Sequence, residues 1–349
     1  MNALLRTGAA LLCFSSLCQP GTAQQPAGQN PHIQLDVVVT DKSGKPVAGL
    51  NQQDFTILDN KQPTPILTFH PHTASSVPAG EIDPSTKVIF IFDEVNAPYD
   101  RAVYARESLK KYLKQNNGNL DHPVSIGLFT DSGLQLQTQP SVDGNALAVA
   151  LEKEGQTYRA IERGAVGGDF QRLQLSLDAL NTLMVQEKAN PGRKMVIWIS
   201  PGWPLISGPR DNLTEKQEQQ VFDKVVWLSG ALRESRITLY SVDTLGTAGT
   251  GERTVFYQNF TNGLTKTSNA AFGDLGLQVL VTQTGGRAIF GNDNIDNSIN
   301  HLVADLTAYY TLEIAAAPSE RPNQYRELNI KLATPGLKSR SRTGYYAQP

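Results

Sequence analysis

Five histidines, two cysteines and a few acids and serines at strand ends are the groups through which this chain could do nucleophilic, metal or acid–base chemistry. His70-Pro71-His72 sets two imidazoles on one side of an extended segment, but no third ligand stands near them, and their place before a linker reads as solvent-exposed. His122 and His301 are isolated and read as structural or surface groups. Ser200 follows an apolar strand, where a hydrolase would hold its nucleophile, yet no Gly-x-Ser-x-Gly elbow is present and Pro201-Gly202 reads as a turn. The glycines of 246–251 and Gly285-Gly286 lack the phosphate-loop lysine and the dinucleotide spacing. Enzymatic chemistry therefore finds little footing, and the sequence points to a protein that is not an enzyme. Binding has better material. The segment 244–273 is rich in Gly, Thr and Asn and carries Phe256, Tyr257 and Phe260, the composition of an adaptable loop with aromatic anchors. Trp203 with Pro204 and Leu205 forms a second apolar cluster. These four aromatics are the candidate partner-binding residues; the alternative is that they fold back over the sheet ends.

The elements that must position these residues are legible from their periods. Residues 33–39 read as a strand, and the turn-forming run 41–46 predicts a hairpin. Residues 54–58 alternate, 59–61 turn and 65–69 form another short strand, so 32–72 is a small β unit too poor in apolar side chains to stand alone. The period then changes. Val88-Ile89-Phe90-Ile91-Phe92 is a continuous apolar strand, the pattern of a parallel strand covered on both faces, and it ends at Asp93. A helix over 101–115 carries Val103, Tyr104, Leu109, Tyr112 and Leu113 as its inward stripe. A strand over 124–129 turns at once into 134–138, which must be an antiparallel edge. Helices over 145–153 and 170–188 follow, the second with Leu173, Leu177, Leu180 and Met184 on one face. Strand and helix then alternate through 194–199, 215–233, 237–242, 275–284, 288–290 and 295–306. This makes an α/β fold with a doubly wound, mostly parallel sheet and helices on both faces. Three tail strands, 309–314, 325–332 and 340–346, are expected to pack with the N-terminal strands as one split β-sandwich into which the α/β region is inserted, the alternative being two separate small β units that each lean on the central domain. Ligands of such sheets bind beyond the carboxyl ends of the strands, which directs attention to 93–100, 165–169, 200–214 and 243–273.

Length and composition set the outer bounds. With 349 residues, 40% hydrophobic and 18% charged, the chain is a folded protein of two or three domains. A net charge of -2 gives no electrostatic pull toward phosphate backbones, so nucleic acid is excluded as a partner. The basic tail, Arg321, Arg326, Lys331, Lys338, Arg340 and Arg342, reads as charges alternating along exposed strand faces. Residues 1–23 read as an export signal, with one early positive charge, an apolar run over 9–17 and a small-residue cleavage site at Gly21-Thr22-Ala23. Both cysteines, Cys13 and Cys18, lie within it. The mature chain would have no thiol and no integral membrane segment, and would be secreted or periplasmic. The expected division is a signal peptide 1–23, a disordered linker 24–31, an N-terminal β unit 32–72, a linker 73–86, the α/β domain 87–308 and C-terminal strands 309–349.

Several short runs, taken in order, resemble a known family: Val37-Val38-Val39-Thr40-Asp41, Val47-Ala48-Gly49-Leu50, Asp54-Phe55, Phe90-Ile91-Phe92-Asp93, Ile197-Trp198-Ile199-Ser200 with Pro201-Gly202, and Arg342-Thr343-Gly344-Tyr345. Together they are similar to the von Willebrand factor type A (VWA) domain, and to the bacterial VWFA-related group of exported proteins. The resemblance implies a metal-ion-dependent adhesion site, in which Asp-x-Ser-x-Ser, a threonine and a later aspartate hold a divalent cation through oxygen ligands. Here Val95 and Ala97 stand where the two hydroxyls belong, Asp169 stands at the threonine and Ser200-Pro201-Gly202 lacks the later acid. Only Asp93 matches, so the site is degenerate. Asp93, Asp169, Asn96 and Ser200 could still converge as oxygen ligands for weakly bound magnesium or calcium. The competing reading is that Asp93 accepts backbone amides and Asp169 caps a helix starting at Phe170. The leading expectation is an exported, non-enzymatic protein-binding or assembly module that uses the loops at the carboxyl edge of the sheet. The alternative is a metal-assisted ligand binder or hydrolase built on Asp93 and Asp169.

Overall fold

The computed structural model describes residues 32–73, 86–154, 166–206, 213–247 and 250–349. The expected signal 1–23, the linker 24–31 and nearly all of the linker 73–86 lie outside the described residues. In chain order, β1 (His32–Thr40), β2 (Phe55–Asp59), β3 (Gln62–Thr64) and β4 (Thr68–Thr73) come first. Next are β5 (Thr86–Asp93), α1 (Tyr99–Leu113), β6 (Asn119–Thr130), β7 (Gly133–Leu136), β8 (Ser141–Asp143), α2 (Gly144–Glu154) and α3 (Val166–Lys188). Then come β9 (Arg193–Ile199), α4 (Glu215–Glu234), β10 (Ile237–Val242), α5 (Thr250–Gln258), α6 (Leu277–Gln283), β11 (Ala288–Ile289) and α7 (Ile295–Val303). The tail forms β12 (Ala308–Ala315), β13 (Gln324–Leu332), β14 (Lys338–Arg340) and β15 (Gly344–Ala347).

The central sheet runs β11-β10-β9-β5-β6-β7, parallel except where β7 and the short β8 pair antiparallel with β6. This is the VWA-like doubly wound sheet, with β7 as its antiparallel edge. Period-two alternation explains why β5 is apolar throughout: Val88, Phe90 and Phe92 join α1, α2 and α7 in one core, while Ile89 and Ile91 join α3, α4 and α6 in the other. On α3, Leu173, Leu177, Leu180 and Met184 all face that second core. The stripe expected on α1 needs correction. Val103 and Tyr104 are 39% and 44% exposed, and the sheet is met by Ala102, Ala105, Leu109, Tyr112 and Leu113. Small alanines let the helix lie close to the strands, and the bulkier side chains of the same turns are left outside.

The sandwich-like unit is made from both ends of the chain. One sheet is β14-β1-β12-β4 and the other is β15-β13-β2-β3. The hairpin expected across 41–46 is a short one: Thr40 bridges Pro46 and the Val47 N–H donates to Val39 O at 2.8 Å around a turn held by the Asp41 carboxylate, while β1 takes β12 and β14 as its sheet partners. Ile33, Leu35, Val37 and Val39 alternate inward against Phe55, Ile57, Leu312, Ile314, Leu328 and Ile330. The last tail strand is two strands: residues 341–343 carry the chain from one sheet to the other. The basic tail also departs from the expected solvated stripe. Arg326 Nε donates to Asp59 Oδ1 at 2.8 Å, Arg340 Nη2 donates to the buried Asp305 at 2.6 Å, and Arg342 is only 8% exposed. Nor is His72 a free surface imidazole, for its ring stacks on Tyr309 at 4.3 Å. No helix among the described residues is long and apolar enough to cross a membrane.

Candidate functional site

β5 is central, and the chain leaves its carboxyl end toward β6 while leaving β9 toward β10, in the opposite direction. That reversal opens a crevice beyond the ends of β5 and β9. The parallel register sets Ile91 opposite Trp198 and Phe92 opposite Ile199, so Asp93 and Ser200 emerge side by side at its floor.

Asp93 is 1% exposed and its carboxylate is fully wired. Oδ1 accepts the Asn96 backbone N–H at 2.9 Å, and Oδ2 accepts Asn96 Nδ2 at 2.9 Å, Trp198 Nε1 at 2.9 Å and Ser200 Oγ at 2.8 Å. Asn96 Nδ2 also donates to Ser176 Oγ at 3.0 Å, and the Gly202 N–H donates to Ser200 Oγ at 3.1 Å. Burial pushes the Asp93 carboxyl above the usual carboxylate range, against the downward pull of its donors. Neighbouring Glu94 is raised by burial as well, although Arg106 pairs with it.

Of the residues expected to gather here, Asp93, Asn96 and Ser200 share one hydrogen-bonded corner. Asp169 reaches the same cleft as Asn96, but its carboxylate pairs with Arg172, one turn along α3. It is not the helix cap: α3 begins at Val166 and Asp169 sits in its first turn. Trp198, Ser176 and Arg172 belong to the site and were not foreseen.

The donor set does not suit a divalent cation. The Trp198 indole N–H occupies an acceptor position on Oδ2 and has no lone pair to offer a metal. Val95 and Ala97, where the resemblance would place two hydroxyls, are 3% and 2% exposed and packed into opposite cores. Among the described residues no three His, Cys, Asp or Glu side chains are grouped as a metal would need. Ser200 likewise donates its proton to a carboxylate, without an imidazole beside it to serve as base.

Above this corner lies a cleft of about 280 Å³ lined by Asn96, Asp169, Arg172, Gly202, Pro204 and Leu205. Trp203 does not present itself in it. Its side chain is 0% exposed and lies edge-on to Trp198 at 5.3 Å, so the expectation of a partner-contacting indole is corrected. The Gly202 backbone, at φ 93°, turns the chain so that the indole goes down into the core while Pro204 and Leu205 stay at the cleft. The segment read as a glycine-rich loop contains α5. Phe256, Tyr257 and Phe260 are half-buried and brace it: Phe256 lies 5.2 Å from Phe260, and Tyr257 stacks on Phe290 at 5.5 Å. The most exposed apolar side chains at this end are Tyr99 on α1 and Val255 on α5, each 65% exposed.

No family model matches the chain, and no curated protein matches it. Among solved structures, it is similar to the human COPII-coat protein Sec24c at 10% identity, over 80% of this chain and 46% of that one, with a TM-score of 0.35. It is similar to a variant of the PilB minor pilin from Streptococcus sanguinis at 10% identity, over 66% of this chain and 64% of that one, with a TM-score of 0.36. A third similarity is to the SpRpn10 VWA domain, at 9% identity, 45% and 72% coverage and a TM-score of 0.26. The chain spans less than two thirds of the length of the first two.

Proposed function

We propose that this chain is an exported, non-enzymatic binding module of the VWFA-related type, and that a protein partner docks on the loops at the carboxyl end of the central sheet. The observation that carries this reading is the cleft at the switch point, where the apolar Pro204 and Leu205 stand beside the Asp169–Arg172 pair. An apolar wall with a few convergent polar groups is the usual make-up of a recognition pocket. Tyr99 and Val255 extend the surface on either side. Trp203 supports the loop from beneath, and Phe256, Tyr257 and Phe260 hold α5 in place. Because donors of the protein itself engage Asp93, partner binding needs no metal. Export rests on the leader-like residues 1–23.

The reading is tested by placing a photo-crosslinking residue at position 205 or 99, with position 185, an exposed site on α3, as the control. A discrete adduct from 205 and 99 that is absent from 185 and survives a chelator is expected. Equal adducts from all three positions, or loss of the adduct on chelation, would overturn it.

A further inference from the structure

A second feature lies at the opposite end of the central sheet, where the sandwich meets the α/β layer. β9 and β10 begin there with Arg193 and Ile237, and the last turn of α4 there carries Arg233, next to Glu234, whose carboxylate pairs with Lys188. Arg342, on the segment that crosses between the two sandwich sheets, inserts into this seam. It is 8% exposed, and the one hydrogen bond of its side chain among the described residues is a long one, Nη1 to Ser229 O at 3.4 Å. Arg233 has neither an ion pair nor a hydrogen bond from its side chain among the described residues.

Among the described residues, the one carboxylate lining the crevice, that of Asp36, is already shared. Asp36 Oδ1 accepts Arg236 Nη2 at 3.3 Å and Thr311 Oγ1 at 2.9 Å, and Oδ2 lies 3.9 Å from Arg193 Nε. One negative charge therefore faces the three guanidiniums that line the crevice, Arg233, Arg236 and Arg342, and its other oxygen is turned to the buried Arg193. A buried cation with no counter-charge is costly, and the cost falls when an anion enters. Burial and the nearby Arg233 push Arg342 down to about 10, the direction expected of an undercompensated cation. Arg233, Arg236, Arg342, Asp36 and Thr238 line a crevice with a space of about 20 Å³, enough for a single particle near the size of a water molecule.

We propose that this crevice binds one small monovalent anion of chloride's size, held between Arg233 and Arg342, which fastens the sandwich to the α/β layer. The space, near the size of one water molecule, favours a single-atom anion over a phosphate. The site lies away from the cleft above, so partner binding and anion binding stand or fall separately.

Crystals of the full chain soaked in bromide are expected to show an anomalous peak within hydrogen-bonding distance of the Arg233 and Arg342 guanidiniums. In solution, chloride is expected to raise the thermal midpoint over gluconate at equal ionic strength by roughly 2–4 °C, as a ligand specific to the native state does. Arg233→Gln alters a half-exposed helix end and leaves the fold intact; it should abolish both the peak and the chloride-dependent shift. Arg342→Met gives the same loss if it folds. A crevice without a bromide peak, or an Arg233→Gln variant that keeps the full chloride shift, overturns the proposal.

Discussion

Replacing Asp93 by asparagine isolates the wired corner from any cation. The amide oxygen can stand where Oδ2 stands and keep the donors from Asn96 Nδ2, Trp198 Nε1 and Ser200 Oγ. Its NH2 group then faces the Asn96 backbone N–H, which loses its acceptor. One stranded buried donor costs about 1–3 kcal/mol, and three charge-assisted bonds become neutral ones at about 1 kcal/mol each. Relief from burying a carboxylate offsets part of this, leaving a net loss of about 1–3 kcal/mol. In urea, followed by the fluorescence of Trp198 and Trp203, the midpoint should fall by roughly 0.5–1 M with the slope unchanged. Asp93→Leu, which strands the Trp198 and Asn96 backbone donors together, should cost about 2–6 kcal/mol. Magnesium and a chelator should leave both the wild-type and Asp93→Asn midpoints where they are. A wild-type midpoint that rises with magnesium and an Asp93→Asn midpoint that does not would make Asp93 a cation ligand and refute the reasoning.

Trp203→Ala removes a fully buried indole and should cost about 3–5 kcal/mol in chemical denaturation; a surface-like change below about 0.5 kcal/mol would contradict its burial. Asp274, which caps the turn at 271–274, has its carboxyl pushed up from 3.8 to about 6 by burial. The folded state then holds this proton more tightly, so the added stability is complete below pH about 4 and is lost, by about 2–3 kcal/mol, as pH rises through about 6. Asp274→Asn should flatten that part of the pH–stability curve, and an unchanged slope would assign it to other groups. Gly286→Ala would put a Cβ 1.6 Å from the Leu239 carbonyl oxygen, so soluble, folded protein should be lost; a folded variant would mean that the strand can move away.

The α/β layer was legible because a strand buried on both faces leaves an unbroken apolar run, as Val88 to Phe92 does, and a central strand ending in an acid marks the switch point. The α1 face was not. Its contact with the sheet is made partly by Ala102 and Ala105, whose weak hydrophobicity is outranked in the sequence by Val103 and Tyr104. That the N- and C-terminal strands share one sandwich was readable, because neither set could stand alone, but the order within each sheet was not: β1 joins β12 across more than 270 residues, and no local signal encodes that register. The helix α5 was hidden because Gly, Thr and Asn read as loop, yet Phe256 and Tyr257 find aromatic partners in Phe260 and Phe290 and fix one turn after another.

At the candidate site, the residues that carry oxygen were visible and those that satisfy them were not. Trp198 is written into an apolar strand, where an indole passes for core, and its second role depends on register. With Trp198 opposite Ile91, its ring shares a face with Asp93 one pleat further on, and the N–H meets the carboxylate. Arg172 was equally silent, since only the helical turn that links it to Asp169 brings a cation to the cleft. A carboxylate at a sheet end can be stabilised by a divalent ion or by a set of fixed donors. A corner held by fixed donors does not depend on the metal supply, and on the proposed reading the partner is met by the side chains above it, Pro204, Leu205 and Tyr99. If those three were changed together to serine and partner crosslinking persisted, the rim would not be the recognition surface, however well the corner beneath it is wired.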